Sequence, residues 1–294
     1  LSPVILAQQV QADEVQTADT SSTIVQQTET TGTSASFSNS ALNTPETGSS
    51  SSTRDGATAD AVAIKASAPT ETTASSTATD SIEAVIIHTN DVHGRILEEK
   101  GVIGDAKAAA VIEEERRKVE NTIVVDAGDA FQGLPISNST KGEDRANIMN
   151  QVGYDAMAVG NHELDFGMDQ AIKYKETLNF PLLSANTYVN GARVFEASTI
   201  VDKTPTVVGD EFVVIGVTTP ETSINTHPKN IEGVTCADPI TEVNKVIDEV
   251  EARALADNRV YNNYIILAHL GVDATTPVEW RGSTLAEALS QNSK

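Results

Sequence analysis

Residues 81–294 predict an α/β fold. Short β-branched runs alternate with stretches of helical spacing from residue 81 onward. Polar side chains and glycines gather just past the strand-like runs, at the edge where α/β sheets place their ligand chemistry.

Residues 84–89 carry Val85, Ile86 and Ile87, a β-branched run suited to a buried strand. Residues 105–119 have helical spacing, with Asp105 as the predicted N-cap and Arg116, Arg117 and Lys118 in the last turn, where cations suit the helix dipole. Thr122–Asp126 reads as the next strand, Glu143–Val152 as a helix closed by Gly153, and residues 156–159 as a third strand. A helix follows over 168–178, then a short strand at 182–184 and a longer one at 211–218. Pro239–Ala256 has helical spacing, residues 263–268 are strand-like, and a last helix begins at 284–289.

Ahead of this lies a different composition. Between residues 13 and 80 nearly half the side chains are Ser or Thr, and Phe37 is the sole aromatic residue. So little apolar surface cannot offset ordering entropy, and the stretch is expected to be a disordered spacer. Residues 1–12 have an apolar start ending in Val10-Gln11-Ala12, the small-residue pattern of a signal-peptidase site, and are read as a signal-peptide remnant. The predicted organisation is thus 1–12 signal remnant, 13–80 spacer and 81–294 the one domain able to bury a core.

The formal net charge of −22 repels a nucleic-acid backbone, which excludes a nucleic-acid polymer as partner. Small anions stay within reach, because clustered divalent cations reverse the field inside a single pocket. Cys236 is the only cysteine, so no intramolecular disulfide forms. No apolar run reaches the roughly 18 residues of a membrane-spanning helix.

The chemistry lies past four strand ends. After residues 84–89 come Asp91 and His93; after Thr122–Asp126 comes Asp129 in Gly128-Asp129; after 156–159 come Asn161 and His162; after 263–268 comes His269. Each is weak alone, since a strand-end histidine is more often structural than a ligand. Together on one edge they are a ligand set. Carboxylate, imidazole and amide oxygen suit Zn²⁺, Mn²⁺ or a similar ion, and the lack of a thiolate in the set argues against a structural zinc knot. A two-metal hydrolase uses a carboxylate that bridges its ions, and Asp129 is the candidate bridge.

HTNDVHG at 88–94 and GNHELDFG at 160–167, with Gly128-Asp129 and His269, resemble the calcineurin-type metallophosphoesterases, in particular their secreted bacterial 5′-nucleotidase branch. The resemblance covers about residues 84–294. It implies a two-sheet sandwich flanked by helices, with two divalent metal ions as cofactors. Asp91, His93 and Asp129 would hold the first ion, and Asp129, Asn161 and His269 the second. His162, oriented by Asp165, would be the catalytic pair beside the phosphate. The implied substrates are nucleotides (AMP, ADP or ATP), and the implied location is secreted or at the cell wall.

The family's Gly-His-x-His motif and its C-terminal base-binding domain have no counterpart before Lys294, so the chain is expected to be the N-terminal part of a longer protein, with any surface anchor beyond it. The alternatives are a 2′,3′-cyclic-nucleotide phosphodiesterase/3′-nucleotidase, a UDP-sugar hydrolase and, from another class, a surface adhesin that kept the fold and lost catalysis. Other residues read differently: His88 within its strand as a hydrogen-bonded structural histidine, His227 before Pro228 as loop, Trp280 and Arg281 as packing or substrate contacts, and Asn138 as part of an Asn-Ser-Thr sequence that fits a glycosylation acceptor, a common chance match.

Overall fold

A computed structural model describes residues 4–8 and 84–292, all belonging to one compact unit. In chain order its elements are β1 (Val4–Gln8), β2 (Val85–Thr89), α1 (Asp105–Lys118), β3 (Thr122–Asp126), α2 (Pro135–Asn138), α3 (Glu143–Val152), β4 (Ala156–Ala158), α4 (Met168–Thr177), β5 (Leu182–Leu183), β6 (Thr187–Val189), β7 (Ala192–Arg193), β8 (Ser198–Val201), β9 (Phe212–Thr218), α5 (Thr222–Asn225), β10 (Val234–Cys236), α6 (Pro239–Ala256), β11 (Asn263–His269) and α7 (Gly282–Ser290). Short 3₁₀ turns cover His162–Leu164, Pro228–Asn230 and Val278–Trp280.

Two four-stranded sheets form the centre. One runs β2-β3-β4-β5, all parallel; the other runs β1-β11-β9-β8, with only the β8 edge antiparallel. Period-2 alternation sorts each strand's side chains between two cores. Ile123 and Val125 of β3, Val214 of β9 and Ile265 and Leu267 of β11 meet between the sheets. Val124 of β3 instead faces Ile112 of α1, Met149 of α3 and Tyr174 of α4. On the far side, Val213, Ile215 and Ile266 pack on Val243, Val246 and Val250 of α6 and Leu285 of α7. The result is a two-sheet sandwich with helices outside both sheets. Because Ile123 is fully buried, Ile123→Ala would cost about 2–5 kcal/mol.

The long elements fall where sequence patterning put them, for local reasons. Asp238 caps α6 by accepting from Thr241 N at 2.8 Å, and Pro239 stands in the first turn, where its missing N–H costs nothing. Gly153 ends α3 with φ 79°, a left-handed value that glycine adopts readily.

One helix start differs. Asp105 is not the N-cap of α1: Gly104 holds that place without a side-chain cap, and Asp105 is the first helical residue. Its carboxylate instead meets the guanidinium of Arg145, 1% exposed, at 2.5 Å. An isolated buried arginine is far costlier than a helix start without a side-chain cap, so the ion pair takes the carboxylate.

A separate three-stranded sheet, β10-β6-β7, was not foreseen, because two- and three-residue strands are too short to show a period. The run Val4–Gln8, read from sequence as part of a signal remnant, pairs in parallel with β11 as the edge strand β1. The apolar run Val4-Ile5-Leu6 suits a leader and a sheet edge alike. The expected spacer at 13–80, and residues 9–12, lie outside the described residues.

Candidate metal centre

The site forms where the carboxyl ends of β2, β3, β4 and β11 meet between the two sheets. The loop after β2 lies along the loop after β3: Asp91 N donates to Gly128 O (2.9 Å), His93 N to Asp129 O (2.9 Å) and Gly94 N to Ala130 O (3.0 Å). Asp91, His93 and Asp129 take the left-handed backbone, with φ of 51°, 49° and 59°. Such conformations cost on the order of 1–3 kcal/mol each and persist only where the surroundings over-determine them. Here the three bonds between the loops do so.

Two imidazoles are aimed in the same manner. His93 Nδ1 lies 3.0 Å from Gln132 O and His269 Nδ1 3.0 Å from Ala127 O; a carbonyl only accepts, so both Nδ1 atoms carry the proton. Each Nε2 then points inward. His93 Nε2 is 3.7 Å from Asp91 Oδ1 and 4.0 Å from Asp129 Oδ2, while His269 Nε2 is 3.2 Å from Asp129 Oδ2 and 3.1 Å from Asn161 Oδ1. Asp129 Oδ2 is common to both groups.

A second function is built beside these atoms. His162 N donates to Asp129 Oδ1 at 2.8 Å, and His162 Nδ1 donates to Asp165 Oδ2 at 2.6 Å. The rings of His162 and His93 meet edge to face with centroids 5.2 Å apart, which puts the His162 ring at the lip of the ligand cluster. Burial opposes protonation of His162, but the bond to Asp165 and the charge of Asp129 overcome it and raise its pKa to about 9.

Glu163 was not singled out from the sequence, and it ties the loops together. Its fully buried carboxylate accepts from Gly160 N (2.7 Å), Asp129 N (2.8 Å) and Ala130 N (2.9 Å). Gly160 lies under it with no left-handed φ; the glycine is needed for room, since a Cβ would collide with Asp129 Oδ1. Burial and the Asp129 charge raise the Glu163 carboxyl to about 7, against the pull of the N–H groups. Asn138 closes the β3 loop further out, accepting from Gly133 N (2.9 Å) and donating to Gly133 O (3.0 Å). The amide of that apparent glycosylation acceptor is thereby engaged.

The donor set fits divalent cations. Asp91, His93 and Asp129 each present a ligand atom within 4.8 Å of the others. A neutral imidazole whose Nδ1–H is held by a main-chain carbonyl is the usual form of a histidine ligand. Asn161 and His269 present an oxygen and a nitrogen to the other side of Asp129 Oδ2.

The sequence matches the calcineurin-like phosphoesterase family over residues 84–291. The chain belongs to that family. It is 38% identical to a 5′-nucleotidase of Vibrio cholerae over 179 residues, covering 58% of this chain and 32% of the relative. With a 5′-nucleotidase of Bos taurus it shares 33% identity over 205 residues, 65% of this chain and 34% of the relative. Among solved structures it resembles a calcineurin-like phosphoesterase of Bacillus subtilis (TM-score 0.59, 24% identity, 71% of this chain and 68% of that one). It also resembles a 5′-nucleotidase precursor of Thermus thermophilus (TM-score 0.51, 29% identity, 63% of this chain and 36% of that one). The chain spans about a third of the length of these curated relatives.

In this calcineurin-like phosphoesterase the structure brings Asp91, His93, Asp129, Asn161, His162 and Asp165, from loops after β2, β3 and β4 of one sheet, together with His269 at the end of β11 in the other, so the set spans two sheets and not the one edge expected from sequence. His88 is exposed on β2, where sequence reasoning expected a bonded structural histidine. His227 caps a 3₁₀ turn by accepting from Lys229 N, well apart from the ligand set in chain and role. Arg281 Nε donates to Thr276 O, a packing contact. Besides Glu163, sequence reasoning passed over Thr226 and Asn230, which bond to main-chain carbonyls of the His162 turn. Only Glu163 carried a signal, as a charged residue inside a Gly-rich turn.

Proposed function

We propose that this chain carries the catalytic domain of a two-metal phosphoric ester hydrolase acting on nucleotides, most specifically a 5′-nucleotidase releasing nucleoside and phosphate. The observation that carries it is Asp129 Oδ2, placed toward His93 Nε2 on one side and His269 Nε2 on the other. That is the arrangement of one carboxylate serving two ions. Asp91, His93 and Asp129 would hold one cation, and Asp129, Asn161 and His269 the second. The metal identity is expected to be Zn²⁺, Mn²⁺ or a similar borderline ion. Held by these residues, such cations would supply positive charge for phosphoryl oxygens and Lewis acidity for a water nucleophile.

The protein's own groups do the rest. Asp165 holds the His162 ring through Nδ1, leaving Nε2 free to face a substrate at the lip of the cluster. A protonated His162 at that position stabilises a phosphoryl oxygen or gives its proton to the departing nucleoside oxygen. Relatives named 5′-nucleotidases, at 33–38% identity, support the nucleotide as substrate. A secreted or cell-wall location belongs to the same reading, supported by the Ser/Thr-rich composition of 13–80 and the leader-like residues 1–12. Among the described residues no helix is long and apolar enough to cross a membrane.

The test is phosphate release by the complete protein, reloaded with Zn²⁺ or Mn²⁺ after chelation. AMP, ADP, ATP, a 2′,3′-cyclic nucleotide and a UDP-sugar are compared. Release from AMP, lost on chelation and regained on reloading, is expected. Activity on the cyclic nucleotide or the UDP-sugar alone would replace the 5′-nucleotidase reading, and metal binding without turnover on any of them would favour an adhesin.

A further inference from the structure

The turn that bears Asn161, His162 and Asp165 is held from a segment 65 positions further along the chain. Thr226 Oγ1 donates to Asn161 O at 3.0 Å, and Asn230 Nδ2 donates to Asp165 O at 2.6 Å. Those two carbonyls belong to the first and last residues of the turn, so it is pinned at both ends. The segment doing the pinning is itself stiff. Thr226 is 2% exposed at the end of α5, and Asn230 closes the 3₁₀ turn Pro228–Asn230, whose first φ is fixed by proline and whose open N–H at Lys229 is taken by His227 Nδ1. Asn230 N also donates to His227 O at 2.8 Å, which fixes the residue from its own backbone.

Asp165 depends on this hold more than its neighbours do. Asn161 is buried and bonded to His269, and His162 is tied through its main chain to Asp129. Asp165 is anchored on the turn side by a single 3₁₀ bond, Asp165 N to His162 O at 3.2 Å. Its carboxylate, with its side chain 20% exposed, must stay 2.6 Å from His162 Nδ1 in competition with water. Releasing the Asp165 carbonyl frees the last peptide of the turn to rotate, and the carboxylate moves with it.

We propose that Asn230 is a positioning residue for His162, acting through Asp165, so that a loop of the second half of the domain sets the orientation of the ring at the site. The proposal rests on the reading of His162 and Asp165 as the catalytic pair. Asn230 touches neither the proposed ligands nor the His162 ring; its effect passes through the carbonyl of Asp165.

The experiment is a double-mutant cycle in the complete protein with AMP as substrate. Asn230→Asp keeps size and shape while replacing the donor by an oxygen that repels the Asp165 carbonyl; Asn230→Ala serves if the first variant does not fold. Expected is a fall in kcat of about 10-fold, the lower end of the usual cost of losing a supporting partner, with KM and bound metal unchanged. In a His162→Ala background the same substitution should cause no further loss, because its only route to turnover is gone. The downfield proton of ¹⁵N-labelled His162 Nδ1, a signature of its short bond to Asp165, should be present in the parent and weakened in Asn230→Asp. Equal losses in both backgrounds, loss of metal, or an unchanged kcat with His162 present would overturn the inference. If His162→Ala alone leaves kcat intact, the catalytic pair itself is wrong and the inference goes with it.

Discussion

Oδ2 of Asp129 lies 3.2 Å from Nε2 of His269, and the two side chains are only 3% and 1% exposed. Since His269 Nδ1 already gives its proton to Ala127 O, the inner face of the ring meets two oxygens, from Asp129 and Asn161. Something positive must stand between them. Burial works against ionising either partner, yet their attraction raises the His269 pKa and lowers that of Asp129. A proton can fill that role, and so can a cation.

Asp129→Asn therefore removes the charge that faces both histidines. Metal content after dialysis against micromolar Zn²⁺ or Mn²⁺ should fall from two equivalents to one or fewer, with affinity reduced by at least about 10–100-fold. Retention of two ions with normal turnover would take Asp129 out of the bridge.

His162→Ala should lower kcat by about 10²–10⁴-fold while both metal ions stay bound, because its side chain bonds to Asp165 and meets the ligand His93 only edge to face, through ring packing. Asp165→Asn should act in the same direction and more weakly. Replacing AMP by a nitrophenyl phosphate, whose leaving group needs no proton, separates the two roles: a smaller loss marks His162 as acid, and an undiminished loss marks it as stabiliser of the phosphoryl oxygens.

Glu163→Gln places an amide NH₂ among main-chain N–H groups that now share one carboxylate. Leaving even one buried donor unpaired costs about 1–3 kcal/mol. Urea unfolding of the metal-free variant should show a loss of that size, and metal affinity should fall as well, since the loops bearing Asp129 and Asn161 lose their common anchor. A variant with the parent's urea midpoint would show that water replaces the carboxylate.

Asp126 offers a pH test on a buried group that is not itself one of the proposed ligands. It is fully buried, and although Thr89 Oγ1 and Gly128 N bond to it, burial dominates and raises its pKa to about 6. A raised carboxyl contributes stability that is complete below its unfolded value of roughly 4 and is lost as pH rises through about 6. Asp126→Asn lacks that loss. Relative to the parent, the metal-free variant should gain about 2–3 kcal/mol between pH 4 and 7, read from urea midpoints at the two ends. A difference that is flat with pH would mean the acid is unshifted.

What the sequence determined by itself is what local pattern can encode. Thr122–Asp126 and Pro239–Ala256 were legible to the residue, because a strand between two cores carries an unbroken apolar run, Ile123-Val124-Val125, and because Asp238 and Pro239 mark a helix start chemically. The residue types past the four strand ends were legible too, since glycines and ligand-type side chains stand out against apolar runs. Tertiary structure decided the rest, wherever a polar group chose a partner far away in the chain. Asp105 turned from a cap to Arg145, 40 positions on, because a buried guanidinium needs a counter-charge more than a helix end needs a side-chain acceptor. Glu163, Thr226 and Asn230 serve main-chain groups 33 to 65 positions away, and a hydrogen bond to another residue's backbone leaves no mark in that residue's identity. The left-handed backbone of Asp91, His93 and Asp129 is likewise invisible to local propensity, which disfavours it; only the pairing of one loop against the other makes it the lowest state.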